Sequence, residues 1–283
     1  PWRAEALERI EEIRKGDFKV KVVDKNGNPI QNANVELDMF EHEFRFGAVL
    51  DTSFYESSIG YTKQYADTLG VNFNAAGAGN ATKEAPFMSN PTQAQRKFDD
   101  AKNLGIKYFR GHVLWMPTLQ TGMDRPWRLY GTDQGENLDW PTFEKYVKNG
   151  FNEFMSTMDE ITELEVANEM STRVTWDGRF SKWGYPAKTY LHQLFYWADE
   201  IRRENNYDHI TLCYCGNNAG SEAYWKMLDG FDQAKLPFEQ LVWQGHTFDK
   251  KNDKQKNVRR LGYYNEIFDR YVYEYGKQFS ISE

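Results

Sequence analysis

Apolar and polar positions divide the chain into two parts with different periods. Residues 3–14 place their apolar side chains on one helical face, a spacing that predicts an amphipathic helix. Residues 19–40 instead alternate apolar and polar positions around an Asn-Gly-Asn-Pro turn at 26–29, which predicts a β-hairpin. We interpret residues 1–42 as an N-terminal extension, helix plus β-hairpin, of the domain that follows.

Short apolar runs alternate with helical stretches over the rest of the chain. The predicted strands are 45–50, 71–75, 106–114, 161–169, 209–215, 240–246 and 278–283, and the predicted helices between them are 61–70, 91–105, 139–157, 186–204, 220–231 and 257–275. Mostly continuous apolar strands are typical of parallel strands buried on both faces. Residues 43–283 are therefore predicted to form an α/β domain, either a (β/α) barrel or a doubly wound sheet.

Polar residues at the ends of the predicted strands favour the barrel. They are Arg110, His112, Asn168, Glu169, Gln244, His246 and Glu283. In a (β/α)₈ TIM barrel the carboxyl ends of the strands form the active face. A doubly wound sheet would instead need a G-x-G-x-x-G turn after an early strand, and the glycine cluster GAGN at 77–80 lacks that form.

The predicted barrel is one strand short. A closed (β/α) barrel needs eight strands, whereas the sequence reaches Glu283 within the seventh predicted strand. Seven strands would leave two unpaired edges and an open hydrophobic interior. We therefore expect the barrel to lack its last strand and helix in this chain, and a missing C-terminal segment, from the same gene or a second chain, to supply them.

Composition excludes several classes of protein. The formal net charge of -7 disfavours a nucleic-acid partner. No run of eighteen apolar residues is present, so no membrane-spanning segment is expected, and the opening residues predict a charged helix rather than a signal peptide. The five histidines are scattered and H-E-x-x-H is absent, so neither a metal nor a cofactor is expected. Cys213 and Cys215 are interpreted as buried thiols.

Two carboxylates at strand ends suggest a specific chemistry. Glycoside hydrolysis needs one carboxylic acid to protonate the leaving oxygen and one carboxylate to attack or to activate water, and Glu169 and Glu283 could fill these roles. Histidine and amide side chains at neighbouring strand ends suit sugar hydroxyls. Aromatic residues make up 16% of the chain, and loop tryptophans such as Trp115 could stack on sugar rings, although packing within the loops is the simpler explanation for any one of them.

Five motifs together resemble glycoside hydrolase family 10, the retaining endo-β-1,4-xylanases built on a (β/α)₈ barrel. The motifs are FNAAGAGNATK at 73–83, RGHVLW at 110–115, EVANEM at 165–170, WQGH at 243–246 and SISE at 280–283. The resemblance covers residues 44–283 and implies that the substrate is xylan or a related β-glycan. It further implies that Glu169 is the general acid/base and Glu283 the nucleophile.

The resemblance also implies a set of sugar-binding residues. His112, Asn168, Gln244 and His246 would line the subsite where the bond is cut, with Trp115 nearby. Asn80 and Lys83 would bind the next sugar on the glycone side. Because the family is usually secreted by microbes that degrade plant cell walls, a secreted or periplasmic location is expected.

Departures from the family pattern keep other functions open. Gly79 stands where the family has a glutamate and Glu84 where it has a tryptophan, and Met116 and Pro117 end the R-G-H motif differently. A retaining hydrolase of another plant β-glycan therefore remains an alternative. So does a catalytically impaired carbohydrate-binding protein.

Overall fold

The computed structural model describes residues 2–39, 43–50, 52–56, 59–77, 79–82, 87, 90–112, 140–168, 187–216, 222–244 and 265–282. A parallel sheet is its central element. The sheet contains the strands β1 (Gly47–Val49), β4 (Ala75–Gly77), β5 (Tyr108–His112), β6 (Glu163–Asn168), β7 (Thr211–Gly216), β8 (Gln240–Trp243) and β9 (Gln278–Ile281). A separate antiparallel pair is formed by β2 (Tyr55–Glu56) and β3 (Gly60–Tyr61).

Helices connect the strands of the large sheet. They are α2 (Lys63–Asn72), α3 (Pro91–Asn103), α4 (Trp140–Thr157), α5 (Ala187–Glu204) and α6 (Glu222–Gln233). Residues 265–269 are also helical and continue into a π-helical turn, Arg270–Glu274, before β9. This alternation of strand and helix confirms the predicted α/β class.

The strands lie in the sheet in chain order, β1-β4-β5-β6-β7-β8-β9, and every adjacent pair is parallel. A doubly wound sheet reverses its strand order at a switch point, and the described strands contain no such reversal. The barrel-type order predicted from the sequence is therefore correct. Among the described strands, β1 and β9 have a neighbour on one side only.

Side-chain contacts show that the sheet is curled. Nη2 of Arg110 on β5 donates a hydrogen bond to Oγ of Ser280 on β9 at 2.7 Å. These strands are four positions apart in the sheet, so they would be about 19 Å apart if the sheet were flat. The contact requires β5 and β9 to face each other across a concave interior, as in a barrel.

The main hydrophobic core lies between the convex face of the sheet and the helices. Phe98 of α3 packs on Phe109 of β5 with ring centroids 4.9 Å apart. Phe231 of α6 packs edge-on against Tyr214 of β7 at 5.1 Å. A second, small apolar cluster of Cys213, Cys215 and Val242 is separate from this core; we assign it to the concave face.

The concave face does not match the hydrophobic interior expected from the sequence. Charged and polar side chains occupy much of it, namely Arg110, Glu163, Glu165, Gln240 and Ser280. These residues alternate with the apolar ones that face the helices, so strands that read as mainly apolar still carry a polar inner face.

The N-terminal segment contains the predicted helix but few of the predicted strand pairs. Helix α1 (Trp2–Arg9) continues into a π-helical turn, Ile10–Arg14. Across 15–39 the backbone forms two turns and one antiparallel bridge, Val23 to Pro29, and most large apolar side chains there are exposed. A two-stranded hairpin without a sheet or helix to pack on is marginally stable. No helix in the described ranges is long and apolar enough to cross a membrane.

Candidate active site

Two amides meet at the carboxyl ends of β6 and β8. Nε2 of Gln244 donates a hydrogen bond to Oδ1 of Asn168 at 3.0 Å. The two side chains are almost completely buried, so this bond fixes which way both amides point. The sequence placed both residues in the candidate site, and the fold brings them into contact across 76 positions of the chain.

A register shift in β6 directs Asn168 inward. Glu165 of β6 pairs with Cys213 of β7, but the next paired residues are Ala167 with Tyr214 and Asn168 with Cys215. One residue of β6 is therefore left without a pairing partner on β7. With strict alternation, Ala167 would share the face of Glu165 and Asn168 would point to the helices. The bulge adds one residue and changes this phase, which places the amide on the concave face directly before Glu169.

His112 ends β5 on the same concave face. Its Nδ1 lies 3.6 Å from Oε2 of Glu165, while its Nε2 is buried with no hydrogen-bond partner among the described residues. The backbone N–H of His112 donates to Oγ1 of Thr82 at 3.2 Å. That bond attaches the 3₁₀ turn Gly79–Thr82, which contains Asn80, to the end of β5.

A buried ionic network lies deeper in the concave interior. Nε of Arg110 donates to Oε2 of Glu163 at 2.7 Å, and Arg45 pairs with Oε1 of the same carboxylate. Arg110 also approaches Glu165, with Nε 3.8 Å from Oε1. Because buried charges are costly unless they are paired, this cluster of opposite charges makes an ionic interior possible.

The surroundings of Glu165 keep it ionised. Burial raises the pKa of the Glu165 carboxyl, but His112, the Arg110 charge and a hydrogen bond from the Cys215 thiol together lower the pKa below its ordinary value. The network therefore places a full negative charge beneath His112.

The two cysteines are buried, free thiols, as interpreted from the sequence. Cys213 donates to Oε1 of Gln240 at 3.0 Å, and Sγ of Cys215 lies 3.6 Å from Oγ of Ser282. Burial, with a further contribution from Glu163, raises the pKa of the Cys213 thiol well above its ordinary value, so it stays protonated. Within the described ranges no three His, Cys, Asp or Glu residues are arranged to hold a metal ion.

Several predicted site residues lie outside the described residues, namely Lys83, Trp115, Glu169, His246 and Glu283. Their placement in the site stays a prediction. The backbone of Asn80 is described but its side chain is not. Their described chain neighbours, Thr82, Asn168, Gln244 and Ser282, have their contacts at the strand ends that surround the concave interior.

Glu163 and Glu165 are the most buried acidic groups beneath this site. Neither was predicted from the sequence as a site residue. Glu163 and Glu165 alternate with Leu164 in an otherwise apolar strand. That two-residue spacing of charge was a usable signal, because it places both carboxylates on one face of β6.

The fold is that of the glycoside hydrolase family 10 xylanases. A family 10 structure from Paenibacillus barcinonensis superposes with a TM-score of 0.61 at 18% identity, covering 85% of this chain and 69% of that one. TsXylA, an intracellular xylanase of Thermoanaerobacterium saccharolyticum solved as a mutant with xylotriose, gives a TM-score of 0.56 at 16% identity, covering 85% and 72%. No protein-family model matches the sequence.

One curated relative is similar over part of the chain. The anti-sigma-I factor RsgI6 of Acetivibrio thermocellus is 36% identical over 137 residues, which is 44% of this chain. The match spans 17% of the length of that protein.

Proposed function

We propose that the protein is a retaining endo-1,4-β-xylanase. The observation that carries the proposal is the buried hydrogen bond between Asn168 and Gln244 at the mouth of the curled sheet. Since Oδ1 of Asn168 accepts from Gln244, its Nδ2 donor points away from Gln244, where it can serve a sugar hydroxyl. The likeness to xylanase structures supports xylan as the substrate.

The proposed mechanism is a double displacement by two carboxylates. Glu283 attacks the anomeric carbon and forms a glycosyl-enzyme while Glu169 protonates the leaving oxygen. Glu169 then removes a proton from water, which releases the sugar with retention. In this scheme Asn168 holds the 2-hydroxyl, and His112, Gln244 and His246 bind the sugar at the cut bond. Asn80 and Lys83 bind the next sugar, and Trp115 stacks nearby.

Removing each carboxylate separates the two roles. Glu283→Ala should abolish hydrolysis of aryl β-xylobiosides with any leaving group. Glu169→Ala should slow substrates with poor leaving groups far more than those with good ones, because only the former need the proton. The matched control is Glu222→Gln, a carboxylate on the surface of α6 with an 83% exposed side chain, which should keep full activity. Equal losses on both substrates in Glu169→Ala would contradict the acid role.

A retaining hydrolase of another plant β-glycan is the nearest alternative, prompted by Gly79 and Glu84. Initial rates on xylan, arabinoxylan, mixed-linkage glucan and cellulose distinguish the two. If the protein hydrolyses mixed-linkage glucan or cellulose faster than xylan, that glucan becomes the proposed substrate.

A carbohydrate-binding protein without catalysis is the second candidate. The departures from the family pattern at Gly79 and Glu84 favour it, and the partly similar relative is named as an anti-sigma-I factor rather than as a hydrolase. Such a protein would bind xylan and release no reducing ends. Affinity electrophoresis in xylan gels, run beside a reducing-sugar assay on the same preparation, distinguishes binding alone from hydrolysis.

We further propose that an eighth strand with a covering helix, from the same gene or a second chain, pairs with the edges of β1 and β9 that have no neighbour among the described strands. Edge strands present unpaired backbone groups, and a barrel removes them by closure. Residues 1–283 alone should then unfold less cooperatively and hydrolyse xylan less well than a longer gene product. Sharp melting and full activity of residues 1–283 would contradict this.

A secreted or periplasmic location is also proposed, by resemblance to the family. Antibody detection in fractions of the source cells tests it. The similar xylanase from Thermoanaerobacterium saccharolyticum is named as intracellular. Recovery of this protein in the cytosolic fraction would contradict the proposed secreted or periplasmic location.

A further inference from the structure

The imidazole of His112 has two different sides. Nδ1 faces the carboxylate of Glu165 at 3.6 Å, and Nε2 has no hydrogen-bond partner among the described residues although it is buried. A buried polar atom without a partner is costly. Nδ1 therefore has a partner, whereas Nε2 is available for a hydrogen bond to a group that is not among the described residues.

Glu165 is held so that it can face His112. Its side chain is 3% exposed, and Arg110 lies 3.8 Å from its other carboxylate oxygen. The closest bonds of Arg110 go to Glu163 and Ser280 instead. Arg110 therefore offsets the charge of Glu165 without occupying the oxygen that faces Nδ1.

We propose that Glu165 is a positioning residue that keeps the proton of His112 on Nδ1, so that Nε2 accepts a hydrogen bond from a sugar hydroxyl. A carboxylate beside one imidazole nitrogen fixes both the tautomer and the ring orientation. The sugar as occupant rests on the proposed function. The tautomer depends on this chain alone.

The tautomer can be read by two-bond ¹H–¹⁵N NMR of ¹⁵N-histidine protein, with His112 assigned by His112→Gln. When the ring is neutral, the intact protein should show Nδ1 protonated and Nε2 unprotonated. Glu165→Gln should shift the ring toward the Nε2-protonated form, and Glu165→Asp should preserve the original pattern in part. A wild-type ring protonated on Nε2, or spectra unchanged in Glu165→Gln, would overturn the proposal.

Glu163→Gln is the matched control, because it removes a buried carboxylate from the same face of the same strand. Glu163 pairs with Arg110 and Arg45 and has no described contact with His112. Its substitution should leave the His112 resonances in the Nδ1-protonated pattern. An equal shift in both variants would indicate a general disturbance of the interior and overturn a specific role for Glu165. If Glu165→Gln does not fold, the wild-type tautomer and Glu165→Asp decide the question.

Kinetics test whether Glu165 acts through His112. On an aryl β-xylobioside, Glu165→Gln should lower kcat/KM about tenfold, whereas in a His112→Gln background the same change should have little further effect. Equal losses in both backgrounds would indicate that Glu165 acts independently of His112. If the wild-type protein hydrolyses no glycan, the proposed function fails while the NMR result still decides the tautomer.

Discussion

Arg110 stands at the centre of the concave interior, between two carboxylates of β6. Removing one partner of a buried ion pair is more damaging than the net stability of the pair implies, because the other charge remains buried. Glu163 has two arginine partners, Arg110 and Arg45. Glu165 has Arg110 and His112. Because both carboxylates lie near Arg110, the losses of stability caused by removing each of them are not expected to add.

Gly216, at the end of β7, permits a close approach of α6 to the sheet. A Cβ on Gly216 would lie 2.5 Å from Cε2 of Tyr224, and the Tyr224 ring is fixed by a hydrogen bond to the hydroxyl of Tyr271. Gly216→Ala should therefore lower the free energy of unfolding by about 1–3 kcal/mol, measured by urea denaturation.

Gly230 provides the control for that substitution. It lies within α6, and a Cβ there would meet no atom within 4 Å. Gly230→Ala should raise the free energy of unfolding by about 0.5–1 kcal/mol, since alanine loses less backbone entropy in a helix. A similar loss in both variants would mean that the Tyr224 contact does not determine the effect.

Residue types in the site were easier to predict than their contacts. The sequence singled out His112, Asn168 and Gln244 because each ends a strand with a polar side chain. It gave no sign of the bulge that directs Asn168 inward, because a backbone irregularity leaves no mark on the apolar pattern. The ion pair of Arg110 with Glu163 joins positions 53 apart and depends on the register of two strands.

Among the elements, the long amphipathic helices were predicted most accurately. The predicted helices 139–157 and 186–204 are observed as α4 and α5, which end at the predicted residues. Their many turns give a strong helical period. The hairpin prediction had alternation and a good turn, but alternation alone does not supply a surface to pack against.

Helix α3 begins with a side-chain cap that should be measurable. Oδ1 of Asn90 accepts a hydrogen bond from the backbone N–H of Gln93 at 3.0 Å, and Pro91 follows at the first helical position. Asn90→Ala should lower the free energy of unfolding by about 1 kcal/mol. Asn90→Ser or Asn90→Asp should lower it much less, because both side chains can still accept the capping hydrogen bond.

Thr62 gives the comparison, because it precedes α2 without a side-chain capping bond. Thr62→Ala should change the free energy of unfolding less than Asn90→Ala does, in the same urea titration. A larger loss at Thr62 would contradict the assignment of the cap.

At the scale of the whole molecule, the N-terminal extension should be separable from the barrel. None of the residues 4–13 and 15–39 is buried, and the hydrogen bonds found for this segment are internal to it. A protein lacking residues 1–39 should keep its cooperative transition, with a melting temperature changed by less than about 4 °C. Circular dichroism during heating measures this, and loss of cooperativity would contradict the boundary proposed at residues 42 and 43.

The contact between Arg110 and Ser280 also bears on how the chain is made. The two residues are 170 positions apart, so when Arg110 leaves the ribosome its partner on β9 has not been synthesised. Glu163 becomes available much earlier, 53 positions after Arg110. During synthesis the guanidinium can therefore be neutralised by β6 well before the sheet can curl, and the contact that holds β5 opposite β9 can form only after Ser280 has emerged.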